Sequence, residues 1–284
     1  MKFEEFTHIG EKSPGKTTLM CEDRLFCHEN LFAVIDGATS TTGTLIEKLT
    51  DGAYIAEFFK KSLNNYVNSQ LDAHDIMVEI NKKFGEHLKT QHPEIHALEK
   101  NGPTASGVIV KIHSDNTYSF AQVGDCMLVE SQTGKLNELT IDSRYVDDHD
   151  YLHIAQKISK QKGLGILEVR EYPEVINAIV AHRLKSNVEK GVLNGDLAMD
   201  NFICHDRRPL KNVSELILMS DGMAHPEYEL KDTYIEAAKH MLEKSIYHYY
   251  KTLKAILDAD CDWKNLKYLR GKHIDDCTAV IAKF

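Results

Sequence analysis

The chain has 284 residues, 42% hydrophobic and 27% charged, which gives it the make-up of a globular protein and the length to bury a large core. Its formal charge of −9, from 34 basic and 43 acidic residues, argues against a general nucleic-acid binder, whose affinity rests on neutralising phosphates. The six cysteines (Cys21, Cys27, Cys126, Cys204, Cys261 and Cys277) form no C-x-x-C pair and are too sparse for a disulfide framework, so reduced thiols in a cytoplasmic protein are expected.

The chain opens on MKFEEFTHIGEK, with no apolar signal-peptide core, and no later apolar run approaches the roughly 20 residues of a membrane helix. The first buried strand is expected at Leu31–Ile35. A helix follows over Ala53–Asn65, where Ile55, Phe58, Phe59 and Leu63 share one face, and Ile76, Ile80 and Phe84 mark another. Strands are then expected at Ser106–Ile112 and Tyr118–Val123, joined by the polar loop 113–117, and at Met127–Glu130. Residues from about 144 to 200 are rich in charge (Lys157, Lys160, Lys162, Glu168, Arg170) and read as an inserted helical flap. A strand at Leu216–Met219, helices at Leu230–Glu243 and Tyr247–Asp258, and a last strand at Thr278–Ala282 complete the order. Helices grouped between blocks of strands, without strict βαβ alternation, suggest α+β layers in a single domain, 1–284.

Three acidic positions share one local design. The apolar run Ala33-Val34-Ile35 leads into Asp36-Gly37, Leu218-Met219-Ser220 leads into Asp221-Gly222, and Asp275-Asp276 precedes the last strand. Carboxylates at the ends of buried strands are held rigidly, and several together repel one another unless a cation sits among them. Oxygen clusters of this kind select hard ions such as Mg²⁺ and Mn²⁺. A single Asp-Gly usually marks a turn and nothing more. Two of them, each capping a buried strand, point to a metal site.

The segments Cys21-Glu22-Asp23-Arg24, Val34-Ile35-Asp36-Gly37, Gly102-Pro103-Thr104-Ala105, Val123-Gly124-Asp125-Cys126, Leu218-Met219-Ser220-Asp221-Gly222 and Asp275-Asp276-Cys277-Thr278 resemble, in this order, the motifs of the metal-dependent type-2C protein phosphatases, with a single catalytic domain of the bacterial kind. The resemblance implies a four-layer αββα sandwich with two central, mainly antiparallel sheets. It implies that Asp36 bridges two Mg²⁺ or Mn²⁺ ions and Gly37 offers its carbonyl. Asp221 and Asp275 would hold the first ion, and Glu22 or Asp23 the second, directly or through water. Asp125, with Asp221, matches the position of a third, weaker ion; its other role would be to hydrogen-bond the turn after Val123. The implied reaction is hydrolysis of phosphate monoesters by direct attack of a hydroxide bridging the metals. Phosphoserine and phosphothreonine proteins are the implied substrates, with a partner kinase supplying them; no nucleic acid or membrane partner is implied.

The departures concern substrate grip. The histidine that often follows the family's Asp-Gly is Ala38 here, and the family's phosphate-binding arginine, four residues before Glu22, is Thr18. Lys16 and Arg24 are the nearby cations that could replace it. Leaving-group protonation would have to come from a metal-bound water or another residue; His225, just past Asp221, is one guess for it, but reads more readily as a surface residue. These gaps leave open a catalytically impaired relative that binds or regulates a phosphoprotein. Two other readings fit less well. Gly10–Thr17 matches G-x-x-x-x-G-K-[ST], but no buried strand precedes it and no room for a helix follows. His149-Asp150 and His205-Asp206 resemble the ligand pairs of helical HD-type phosphohydrolases, which the predicted strands contradict.

Overall fold

The protein is described by a computed structural model, which covers residues 1–284 except 40–42, 44, 97, 99–100, 144–148, 171, 229–231, 261–267 and 269. In chain order its strands are β1 (Lys2–His8), β2 (Glu11–Ser13), β3 (Lys16–Thr17), β4 (Arg24–His28), β5 (Leu31–Gly37), β6 (Leu45–Ile46) and β7 (Leu49–Thr50). Then come β8 (Ala105–Ile112), β9 (Thr117–Val123), β10 (Met127–Gln132), β11 (Lys135–Glu138), β12 (Cys204–Pro209), β13 (Val213–Met219) and β14 (Cys277–Lys283). The ten longer strands form two antiparallel sheets of five, ordered β1-β14-β13-β10-β11 and β12-β9-β8-β5-β4. The first and last strands are therefore neighbours, Lys2 pairing with Lys283.

Strand alternation sorts the core into three layers. Leu31, Ala33 and Ile35 of β5 face α1 (Asp51–Leu63) and α2 (Ala73–Gln91), meeting Ile55, Phe59, Ile76, Ile80 and Phe84. Their neighbours Phe32 and Val34 turn the other way and meet Val108, Leu216, Leu218 and Val280 between the sheets. Ile217, Met219, Ala279 and Ile281 look outward from the second sheet toward Tyr234, Tyr249 and Leu253. Those residues belong to two antiparallel-sheet-covering helices, Thr233–Glu243 and Ile246–Ala259. The result is the expected αββα order. Each fully buried Leu, Ile or Phe in it contributes about 1.5–3 kcal/mol.

In the two five-stranded sheets, the strands that the hydrophobic pattern does not reveal are β1, β4, β11 and β12. All four lie at sheet edges, where one row of backbone groups is unpaired and polar side chains are tolerated. β12 carries His205, Asp206, Arg207 and Arg208 and ends on Pro209, a sequence that reads as a loop. The Gly10–Thr17 segment is a small hairpin of β2 and β3 with Gly15 at φ 71°, and the next element is another strand. It has no helix N-terminus to cradle a phosphate. His205 and Asp206 likewise sit on a strand, which removes the helical HD-type reading. The start of the helix expected from Leu230 lies outside the described residues, as does Cys261; the five described cysteines are free thiols.

Between β11 and β12 the chain forms helices at His149–Lys162, Ile166–Arg170 and Pro173–Arg183, packed around Ala155, Val169 and Val175. The first residues of the expected flap, 144–148, lie outside the described ones. This helical segment returns to the sandwich at Leu193, whose backbone exchanges two hydrogen bonds (2.8 and 2.9 Å) with Ala105. Among the described residues, no helix is long and apolar enough to cross a membrane.

Candidate metal centre

Each acidic corner is built by a close backbone approach that only glycine permits. A Cβ on Gly37 would stand 2.3 Å from the Gly52 carbonyl oxygen, and one on Gly52 would stand 2.6 Å from the Gly37 carbonyl carbon. The first turn of α1 is thus pressed onto the corner that follows Asp36, while the Ala38 N–H donates to the Thr104 carbonyl at 2.9 Å. A Cβ on Gly222 would stand 2.0 Å from the Asp276 carbonyl oxygen, so the Asp221 turn and the Asp275-Asp276 segment lie in backbone contact. Gly124, at φ 81°, packs against Ser106, which pairs with Asp36 across the sheet. That contact carries Asp125 to Asp36: their carboxylates and the Cys126 thiol lie within 4.8 Å of one another.

A cavity of about 840 Å³ opens over these corners, lined by Asp36, Gly37, Asp125, Asp221, Gly222 and Asp275. Burial is the largest cause raising the Asp36 carboxyl well above the usual range, followed by the charges of Asp23, Asp221, Asp125 and Asp275. Asp23 is pushed up to about 7, mainly by burial and then by Asp276. Its Oδ2 accepts a hydrogen bond from Ser220 Oγ at 2.8 Å, and its Oδ1 is buried without a hydrogen bond among the described residues. Crowded oxygen donors with their charge unbalanced are what a hard divalent pair would relieve, so the residues present fit Mg²⁺ or Mn²⁺.

Glu22 and Asp23 turn in different directions and neither lines the cavity wall. Glu22 accepts from Thr50 Oγ1 at 2.6 Å and Thr39 Oγ1 at 2.8 Å, and burial raises its carboxyl. Asp276 is a tie: its two oxygens accept from the backbone N–H groups of Gly10 (2.6 Å) and Glu22 (2.7 Å). Asp275 accepts a short hydrogen bond from the Lys272 ammonium, whose pKa is pushed up by the Asp275 and Asp276 charges against the opposing effect of burial.

The structure does not bring Lys16 or Arg24 to the cavity. Lys16 is exposed on the β2–β3 hairpin. Arg24 binds Glu57 Oε2 at 2.7 Å and the carbonyls of Cys21 and Asp23 at 2.8 Å, so its fork holds the β4 entry to α1. The cations that do line the cavity are Arg170, Arg183 and Lys190 from the helical segment, and Arg270 and Lys272 before β14. No sequence signal marks them, because their chain neighbours say nothing about the cleft. His225 is a correction as well: it is buried beneath Tyr228, His240 and Tyr249, which lie on and beside the last two helices. Burial and then His240 lower its pKa, and its Nδ1 accepts the Glu227 N–H at 3.3 Å.

The sequence profile described as "Protein phosphatase 2C" matches residues 12–258. No curated protein sequence matches the chain. Among solved structures, the serine/threonine phosphatase PstP/Ppp of Mycobacterium tuberculosis is similar at 14% identity and a TM-score of 0.56, covering 100% of this chain and 98% of that one. The PstP catalytic domain in complex with two manganese ions is similar at 14% identity and 0.55, over 99% and 97%. Stp1 of Staphylococcus aureus gives 16% and 0.56, over 100% and 94%.

Proposed function

The chain belongs to the protein phosphatase 2C family, and from that premise we propose that Asp36, Gly37, Asp221 and Asp275 form its metal-binding set. It is a metal-dependent protein phosphatase that hydrolyses phosphoric monoesters, with Mg²⁺ or Mn²⁺ as cofactor. The convergence of four carboxylates on one cavity carries the assignment, and it leaves the reading of a catalytically impaired relative without support.

In this reading Asp36, the Gly37 carbonyl, Asp221 and Asp275 would hold the ions, and Asp125 would serve a further, weaker one. Bound there, the ions would lower the pKa of a water molecule and neutralise charge on the phosphoryl oxygens. The chain's own residues keep the donors in place. Lys272 orients Asp275, Ser220 orients Asp23, and the hydroxyls of Thr39 and Thr50 hold Glu22 beside the loop after Gly37. Outer partners of this kind fix donor geometry before any ion arrives.

The substrates we infer are phosphoserine and phosphothreonine proteins, with a partner kinase opposing the enzyme. The pairing of β1 with β14 supports one catalytic domain over 1–284, with the helical segment as a flap that shapes substrate choice. The five described cysteines, all free thiols, suit a cytoplasmic location.

The test is hydrolysis of a chromogenic aryl phosphate in Mn²⁺. EDTA should abolish it, and Asp36→Asn or Asp221→Asn should each reduce kcat/KM by about 100-fold or more. Undiminished turnover in the chelator would overturn the metal assignment.

A further inference from the structure

We propose that Asp258 and Lys254, on the helix Ile246–Ala259, act through His273 and Glu11 to position Asp275, and so set how tightly its ion is held. The inference rests on the metal-binding reading above and deepens it with positioning residues that lie outside the acidic corners.

The acids of the candidate metal set are not held alike. Asp36 lies within β5 and is paired with Ser106 across the sheet. Asp221 stands just past β13, where the Ser220 N–H before it donates to the Thr278 carbonyl at 2.9 Å. Asp275 stands two residues before β14, outside any named strand. Among the described residues, the strand pairing of its segment is one isolated bridge, between Glu11 and Ile274. The Glu11 N–H donates to the Ile274 carbonyl at 2.8 Å, and the Ile274 N–H donates back at 3.0 Å. Gly10 lets the two chains close up, since a Cβ there would stand 2.7 Å from the Ile274 carbonyl oxygen.

Side chains supply the rest. His273 is fully buried, and its Nε2 donates to Asp258 Oδ1 at 2.7 Å. Lys254 donates to Glu11 Oε1 at 2.8 Å and lies 3.4 Å from each oxygen of Asp258, one turn further along the same helix. Glu11 Oε2 accepts the Gly15 N–H at 2.9 Å. Donor atoms of Glu11, Asp258 and His273 lie within 4.8 Å of one another, and the Lys254 ammonium is the cation held among them. The helix beneath is fixed in the core by Ile246, Tyr249 and Leu253. Residues 273 and 274 are thus tied to a rigid helix just before Asp275, and Asp276 is tied just after it by the N–H groups of Gly10 and Glu22. Partners behind a ligating carboxylate govern affinity in this way, because coordination tolerates only small displacements.

A merely structural cluster would lower stability without a particular effect on metal, so the readout must be metal affinity. The experiment measures Mn²⁺ binding by calorimetry and the metal-free Tm for wild type, Asp275→Asn, Asp258→Ala and Met241→Ala, with KM for an aryl phosphate at saturating Mn²⁺. Asp275→Asn identifies the binding step in question by weakening it. Asp258→Ala should weaken the same step by about 10-fold. KM should stay within about twofold of the wild-type value. Met241→Ala, in the core under the neighbouring helix, should lower Tm and leave Mn²⁺ affinity unchanged. Wild-type Mn²⁺ affinity in a folded Asp258→Ala protein would overturn the proposal, as would an equal loss of affinity in Met241→Ala. If Asp258→Ala does not fold, Lys254→Met decides: weakened Mn²⁺ binding supports the proposal and unchanged binding overturns it. Failure of the underlying reading looks different, since Asp275→Asn would then bind Mn²⁺ as the wild type does.

Discussion

The two walls of the cleft are built by different means. On the acidic wall, Gly37 meets Gly52, Gly124 meets Ser106 and Gly222 meets Asp276, each at distances that leave no room for a Cβ. The carboxylates beside those glycines are positioned by main chain and by the sandwich behind it. The cationic wall comes from a helical segment with a small core of its own around Ala155, Val169 and Val175, and it reaches the sandwich through side chains such as Arg170 and Arg183. Metal coordination tolerates errors of only a few tenths of an ångström, so it belongs on strand ends. Recognition of a substrate can be carried by a docked segment that varies independently of the core.

The contrast can be broken most severely at Gly222. Gly222→Ala would drive a methyl to 2.0 Å from the Asp276 carbonyl oxygen, and the shift required should destabilise the protein by about 3 kcal/mol. A thermal melt without metal checks this; a wild-type Tm would mean that the acidic wall is not locked by backbone contact.

A pH series sharpens the same contrast. Asp23 is raised to about 7 and Asp36 well above its ordinary value, so the metal-free folded protein holds protons that the unfolded chain has already released. Stability should therefore fall as pH rises from about 4 through about 7. Denaturant melts at pH 5 and pH 8 should show the loss, and saturating Mn²⁺ should reduce it by balancing the carboxylates. Equal stability at both pH values without metal would contradict the crowding of these acids.

Arg24→Ala tests how the acidic wall is braced from behind. It removes the Glu57 pair and two carbonyl contacts, and should destabilise the protein by about 1–2 kcal/mol while leaving inhibition by phosphate unchanged. Smallest of all, Lys16→Ala on the exposed hairpin should change stability by no more than about 0.5 kcal/mol and phosphate inhibition not at all. Weakened phosphate inhibition in either variant would return that cation to the site.

Much of the sandwich can be read along the chain because its central strands are buried on both faces. Leu31–Ile35 and Leu216–Met219 are continuous apolar runs, and the helix faces of Ile55, Phe59 and Ile80 repeat with helical spacing. The edge strands escape that pattern because a half-exposed strand such as Cys204–Pro209 can be polar throughout. Lys16 and Arg24 stood out for their nearness to Glu22 in sequence, but strand geometry sends them elsewhere. His225 looked like a surface residue because its cover, His240 and Tyr249, comes from helices that follow it.

What the sequence alone determined is which acids end buried strands; that Asp36, Asp125, Asp221 and Asp275 line one cavity is where the fold takes them. A carboxylate beside a glycine at the end of a buried strand is a local arrangement, written in consecutive residues. Only the tertiary structure decided which cations face those acids. Arg183 reaches Thr39 because a helical segment folds back over the cleft, and a contact between residues so far apart in the chain leaves no local pattern to read.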